Sequence, residues 1–147
     1  MKHIDEVYPK KPNRCNCMNV RRASRAITQF YDDVLKPSGL TVAQMSLLRQ
    51  LDMVERVTIS ELAKRMRIDR TTLNRNMKPL LECELIAVAP GDDSRTRQVR
   101  MTAAGKQAVD RAWELWEEAQ ISIQEYLGEE DLAKLTQLLG KLEALVP

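Results

Sequence analysis

Val20, Ala23, Ile27, Phe30, Tyr31 and Val34 recur at steps of three and four residues, the spacing of one helix face, and predict an amphipathic helix running to about Leu35. Pro37-Ser38-Gly39 stops it. Thr41 and Gln44 have capping-box spacing and open a second helix that presents Met45, Leu48 and Leu51. Thr58 and Glu61 repeat that spacing ahead of a short helix with Leu62, Ala63 and Met66. After Arg67-Ile68, Asp69 is placed to cap a fourth helix. That helix turns Leu73, Met77 and Leu80 or Leu81 inward, and Thr71, Asn74, Arg75 and Lys78 outward. Pro79 removes its hydrogen bond to the Arg75 carbonyl and predicts a kink near that residue.

The period then changes. Residues 85–89 are apolar and β-like, and 99–101 form a candidate antiparallel partner across a polar turn that includes Pro90, Gly91, Asp92 and Asp93. Thr102 caps a long helix whose Gly105, Val109, Ala112, Trp116, Ala119, Ile123 and Tyr126 alternate steps of four and three. Gly128 fits the end of that helix, and Glu129, Glu130 and Asp131 suit the positive end of the next helix dipole. Leu132, Leu135, Leu138, Leu139, Leu142 and Leu145 continue an apolar stripe. The expected fold is mainly α with a small β-hairpin wing.

The 147 residues favour one domain over 1–147: an arm at 1–14, helices at 15–36 and 103–147, and a lobe at 41–102. No apolar run reaches the roughly 20 residues of a membrane helix, and the N-terminus lacks a signal-peptide core, so no membrane partner and a cytoplasmic location are expected. A net charge of +2 conceals a gradient: +3 over residues 1–55, +4 over 56–100 and −5 over 101–147. A basic middle beside an acidic tail suggests a polyanion partner for the middle.

The short helix, tight connection and following helix have helix-turn-helix proportions. Such a unit sets the first residues of its second helix against base edges, here Arg70, Thr71, Thr72, Asn74 and Arg75. Arginine forks onto guanine, asparagine bonds adenine, and threonine offers a hydroxyl and a methyl. Lys78 and Arg65 suit phosphates. No acid lies between Arg70 and Lys78, unlike an ordinary solvated face. Arg95, Arg97 and Arg100 on the hairpin are placed to reach a minor groove or backbone, with Asp93 orienting Arg95.

In these motifs the chain resembles the MarR (multiple antibiotic resistance regulator) family of winged helix-turn-helix transcription factors. The resemblance is carried by Leu40-Thr41-Val42-Ala43-Gln44, Ile59-Ser60-Glu61-Leu62-Ala63, the recognition helix, Asp93-Ser94-Arg95, Met101-Thr102 and Gly105, and spans roughly residues 16–145. It implies a homodimer built from the first and last helices. It also implies paired wings and recognition helices on double-stranded DNA with a pseudo-palindromic operator. The implied function is a repressor released by a small, often aromatic or anionic effector, or by thiol oxidation.

Cys17 falls where hydroperoxide-sensing members of that family place their reactive cysteine, and Tyr31 matches a tyrosine that holds the thiol there, although Arg21 replaces a second one. A helix start beside Arg14, Arg21 and Arg22 is a setting that favours thiolates, and Cys15 is close by. The competing reading makes Cys17 a small buried group at the dimer interface, with Cys83 in the core. Two thiols and a single histidine, His3, fall short of four zinc ligands, and no metal or cofactor is expected. No glycine-rich phosphate loop or nucleophile–base pair suggests an enzyme. Trp113 and Trp116 either line an effector pocket or simply pack. The remaining alternative, a helical module binding protein instead of DNA, would more usually show exposed aromatic or aliphatic anchors on the lobe.

Overall fold

The computed structural model describes residue 4 and residues 9–93 and 95–147, so His3, Ser94 and half of the expected arm lie outside the described residues. The chain runs α1 (Asn16–Leu35), a 3₁₀ turn (Lys36–Ser38), α2 (Val42–Asp52), β1 (Val57–Thr58), α3 (Ile59–Met66), α4 (Arg70–Glu82), β2 (Ile86–Pro90), β3 (Arg97–Met101), α5 (Ala103–Leu127) and α6 (Glu129–Glu143).

Local chemistry sets most of these boundaries. Asn13 and Asn19 clasp across the start of α1: the Asn13 N–H donates to Asn19 Oδ1 at 2.7 Å, and Asn19 Nδ2 donates to the Asn13 carbonyl at 2.9 Å. Gly39 ends the 3₁₀ turn at φ 78°, a left-handed conformation that glycine adopts at little cost. The Thr41–Gln44 capping box is complete in both directions. At α3 only half of the expected box forms. Thr58 Oγ1 accepts the Glu61 N–H at 3.1 Å, while the Glu61 carboxylate turns to Arg65 one helical turn on, at 3.6 Å. α4 runs unbroken through Pro79, which lies in its last turn, so the lost bond to the Arg75 carbonyl does not end the helix.

Beyond α4 the chain reverses through Glu84 at φ 57°, and the Leu85 N–H returns to the Leu80 carbonyl at 2.9 Å. Leu85 therefore turns back toward the core and Cys83 does not: its thiol is exposed, contrary to the core position expected for it. Of the alternative pair, Leu80 is the buried leucine and Leu81 is exposed.

The sheet is antiparallel in the order β1–β3–β2, with Val99 facing Val57 on one side and Val88 on the other. β1 escaped the sequence reading because two residues are too few to show a period of two. Thr102 joins sheet to helix: its hydroxyl accepts from the Gly105 N–H at 3.1 Å and donates to the Glu84 carbonyl at 2.7 Å. A Cβ at Gly105 would stand 2.1 Å from the Leu85 carbonyl oxygen, so only glycine lets α5 start this close to the sheet.

One core gathers Leu35, Leu47, Leu48, Leu62, Leu73, Leu80, Val99 and Val109, all essentially inaccessible. Each such side chain contributes roughly 1.5–3 kcal/mol by leaving water. This core serves the winged lobe together with the end of α1 and the beginning of α5. The rest of the helical region is different: α6 buries no residue, and Ile27, Ile121, Leu135, Leu138, Leu139 and Leu142 are exposed. No helix among the described residues is long and apolar enough to cross a membrane.

Candidate nucleic-acid interface

α3, the Arg67–Asp69 connection and α4 form a helix-turn-helix. Arg67 makes the turn in the left-handed conformation, φ 54°. Asp69 Oδ1 then accepts the Thr72 N–H at 2.7 Å and starts the second helix. Hydrogen bonds from Thr72, with the nearby Arg75 charge, hold the Asp69 carboxyl below the usual carboxylate range. The cap therefore stays anionic where an N-terminus prefers an anion.

Because Leu73, Met77 and Leu80 anchor one side of α4, its other side is fixed outward. Arg70, Thr71, Asn74, Arg75 and Lys78 are exposed there, and Thr72 is half-buried. Arg65, on α3, is partly engaged by Glu61. The wing carries exposed Arg95, Arg97 and Arg100. Its tip closes on itself: the Gly91 N–H reaches the Thr96 carbonyl at 2.9 Å, and the Thr96 N–H reaches the Asp93 carbonyl at 3.0 Å. Asp93 does hold Arg95, but through its main chain, since Asp93 Oδ1 accepts the Arg95 N–H at 3.0 Å. An arginine-bearing hairpin thus stands beside a helix face that carries no acid from Arg70 to Lys78, both fixed to one core.

The other expected site residues are dispersed. Cys15 and Cys17 are free, exposed thiols at the start of α1. Tyr31 lies 14 residues beyond Cys17 on the same helix, about 21 Å along its axis, so the two do not meet within one chain. Its hydroxyl donates instead to Gln120 Oε1 on α5, and burial pushes its pKa up. Trp113 and Trp116 stack at 4.7 Å between centroids; Arg49 covers the Trp113 ring at 4.3 Å, and Trp113 Nε1 donates to Glu117 at 2.9 Å. Both indoles pack against the lobe core, and the Trp113 face is already occupied.

An open cleft of about 1260 Å³ lies between residues 60–70 and 140–147. Lys64, Arg67 and Arg70 line it beside apolar Ala63, Met66, Ile68 and Leu142. Arg67 pairs with Glu143 across it. No local pattern signals a space shared by segments some 75 residues apart. Among the described residues, no three His, Cys, Asp or Glu are grouped to hold a metal ion.

Residues 38–96, which hold the helix-turn-helix and much of the wing, match the sequence profile of the MarR family. The structure also resembles the M. tuberculosis transcriptional regulator MosR in complex with DNA. Identity is 36% over 88% of this chain and 98% of that one, with a TM-score of 0.73. The chain belongs to the MarR family. Two further MarR-like structures share the fold at lower identity. Bordetella bronchiseptica BpsR, whose DNA binding is regulated by 6-hydroxynicotinic acid, has 22% identity, covers 93% of this chain and 99% of its own, and scores 0.79. A mutant of E. coli MarR complexed with operator DNA has 22% identity, covers 84% and 89%, and scores 0.75. No protein among curated sequences matches the chain.

Proposed function

We propose that this MarR-family chain is a dimeric, sequence-specific DNA-binding transcriptional regulator of the repressor type, acting in the cytoplasm. The observation that carries this reading is the exposed face of α4, free of acids from Arg70 to Lys78, beside the Arg95–Arg97 wing. Arg70, Thr71, Thr72, Asn74 and Arg75 read base edges in the major groove; Arg65 and Lys78 hold phosphates; Arg95 and Arg97 enter the adjacent minor groove. The exposed apolar faces of α1, α5 and α6 support the homodimer, which presents two lobes to a pseudo-palindromic operator. The DNA-bound MosR relative supports the DNA assignment.

Release by a small effector fits the cleft better than the tryptophan pair. Lys64 and Arg70 beside apolar walls, with Arg67 already paired to Glu143, suit an anion with an aromatic or aliphatic body. The 6-hydroxynicotinic acid response of BpsR is a precedent for such control within this fold. A second reading, release by hydroperoxide oxidation of Cys17, is favoured by two exposed thiols two residues apart at the head of α1. Fluorescence anisotropy on duplexes selected from random sequence tests the main reading. Tight binding that weakens steeply with salt is expected, and no selected sequence would overturn it. Peroxide release that persists in Cys17→Ser excludes the thiol route.

A further inference from the structure

Between Pro9 and Tyr31 the chain has six cations, Lys10, Lys11, Arg14, Arg21, Arg22 and Arg25, and no acid. Between Arg111 and Lys134 it has seven acids, from Glu114 to Asp131, and no cation. The DNA-contact surface uses neither stretch. All six cations are exposed, as are all the acids except half-buried Glu118. Among the described residues, no cation of the first stretch forms an ion pair with an acid of the second.

Within each stretch like charges are neighbours. Arg21 and Arg25 are one turn apart on α1, as are Glu114 and Glu118 on α5, and like charges at that spacing are destabilising. Exposed apolar residues lie among them: Val20 and Ile27 on α1, Ile121 and Tyr126 on α5. The first stretch and the acids from Glu125 to Asp131 lie at the same end of the molecule. Leu35 joins the lobe core together with Ala108, Val109 and Ala112, while Tyr31 reaches Gln120, so α1 runs antiparallel to α5 and its head points toward the α5–α6 elbow, away from the wing.

We propose that the basic head of α1 docks on the acidic α5–α6 elbow of a second copy of this chain, an electrostatic lock that makes self-association selective and salt-sensitive. It rests on the dimer proposed above and deepens it. In a two-fold dimer the contact occurs twice, head of each copy on elbow of the other. The apolar residues supply area and the charges choose the partner. A homologous chain with a neutral or acidic head would meet the elbow without compensation.

The lock is tested by reversing each half. One variant is Arg21→Glu with Arg25→Glu; the other is Glu125→Lys with Glu129→Lys. Alone, each sets like charge on like charge at both contacts, and sedimentation equilibrium should show its dimer weakened by at least about tenfold. Mixed, the two variants restore attraction at both contacts, and a heterodimer of near wild-type strength should form. That rescue also shows that both fold. The unmodified dimer should weaken as salt rises from about 50 to about 500 mM and the charges are screened.

Reversal variants that each dimerise like the wild type, or a mixture that gains nothing, would overturn the lock and leave the dimer standing. A wild-type chain that is monomeric at every salt concentration would overturn both. Loss of DNA affinity in Arg21→Glu/Arg25→Glu with an unchanged oligomer would make the head a nucleic-acid contact, and the lock would again be wrong.

Discussion

The winged lobe and the helical region treat apolar residues in opposite ways. In the lobe, Leu47, Leu48, Leu62, Leu73, Leu80 and Val99 lose essentially all their accessible surface within a single chain. In α6, Leu135, Leu138, Leu139 and Leu142 keep between 37% and 47% of theirs, although their spacing is equally helical. The lobe encloses its own core; the helical region has a face that nothing among the described residues covers. A periodic apolar stripe therefore states that burial is required, not which chain provides it. Here the stripe on α6 stays exposed for the proposed dimer, and the stripe on α4 is a foundation for the residues opposite it.

The difference can be broken most severely on the uncovered side. Leu139→Glu should leave the lobe folded, with native helical circular dichroism, but convert dimer to monomer. Because two linked lobes on one operator gain from effective concentration, operator affinity should fall by about a hundredfold or more. A monomer that retained full affinity would show that one lobe suffices.

On the lobe side, Gly105→Ala places a methyl against the Leu85 carbonyl and should cost about 1–3 kcal/mol, since overpacking of this kind forces the backbone apart. Thermal unfolding should register this as a lowered Tm, with the dimer intact below the transition. Arg75→Ala should have no such effect on folding. It should instead weaken operator binding by about 1–3 kcal/mol and relax base preference at one position in each half-site. Lys78→Ala should weaken all sequences alike and flatten the salt dependence.

The smallest effects belong to the caps. Thr41→Ala removes a complete capping box and should cost about 1 kcal/mol in thermal or denaturant unfolding. Asp69 gives a pH signature. Its carboxyl is held low in the folded chain, chiefly by hydrogen bonds from Thr72, so its contribution is present above the ordinary carboxylate range and disappears as pH falls through the depressed value. Asp69→Asn, which still caps but carries no charge, should show a shallower loss of stability on acidification than the wild type.

Much of this was legible in the sequence, and unevenly so. Helix starts were readable because capping is local: Thr41, Thr58, Asp69 and Thr102 each sit at an N-cap and accept a hydrogen bond from three residues on. The outward face of α4 was readable because Leu73, Met77 and Leu80 fixed the inward one. What escaped depended on distant segments or on a single reversal of the chain. β1 is strand only because β3 lies beside it. Cys83 left the core because Glu84 adopts a left-handed conformation. The cleft joins residues 60–70 to the chain end, and Tyr31 found Gln120, a residue 89 positions away.

The most direct test of the account is the spacing of half-sites on the DNA. A selected operator carrying two inverted half-sites one helical turn apart should bind one dimer, and inserting about five base pairs between them should set the lobes on opposite faces of the duplex. At least about a hundredfold loss of affinity is expected on that insertion, with each isolated half-site bound weakly. Equal affinity for the original and the expanded operator would contradict a dimer that reads DNA with two coupled winged lobes.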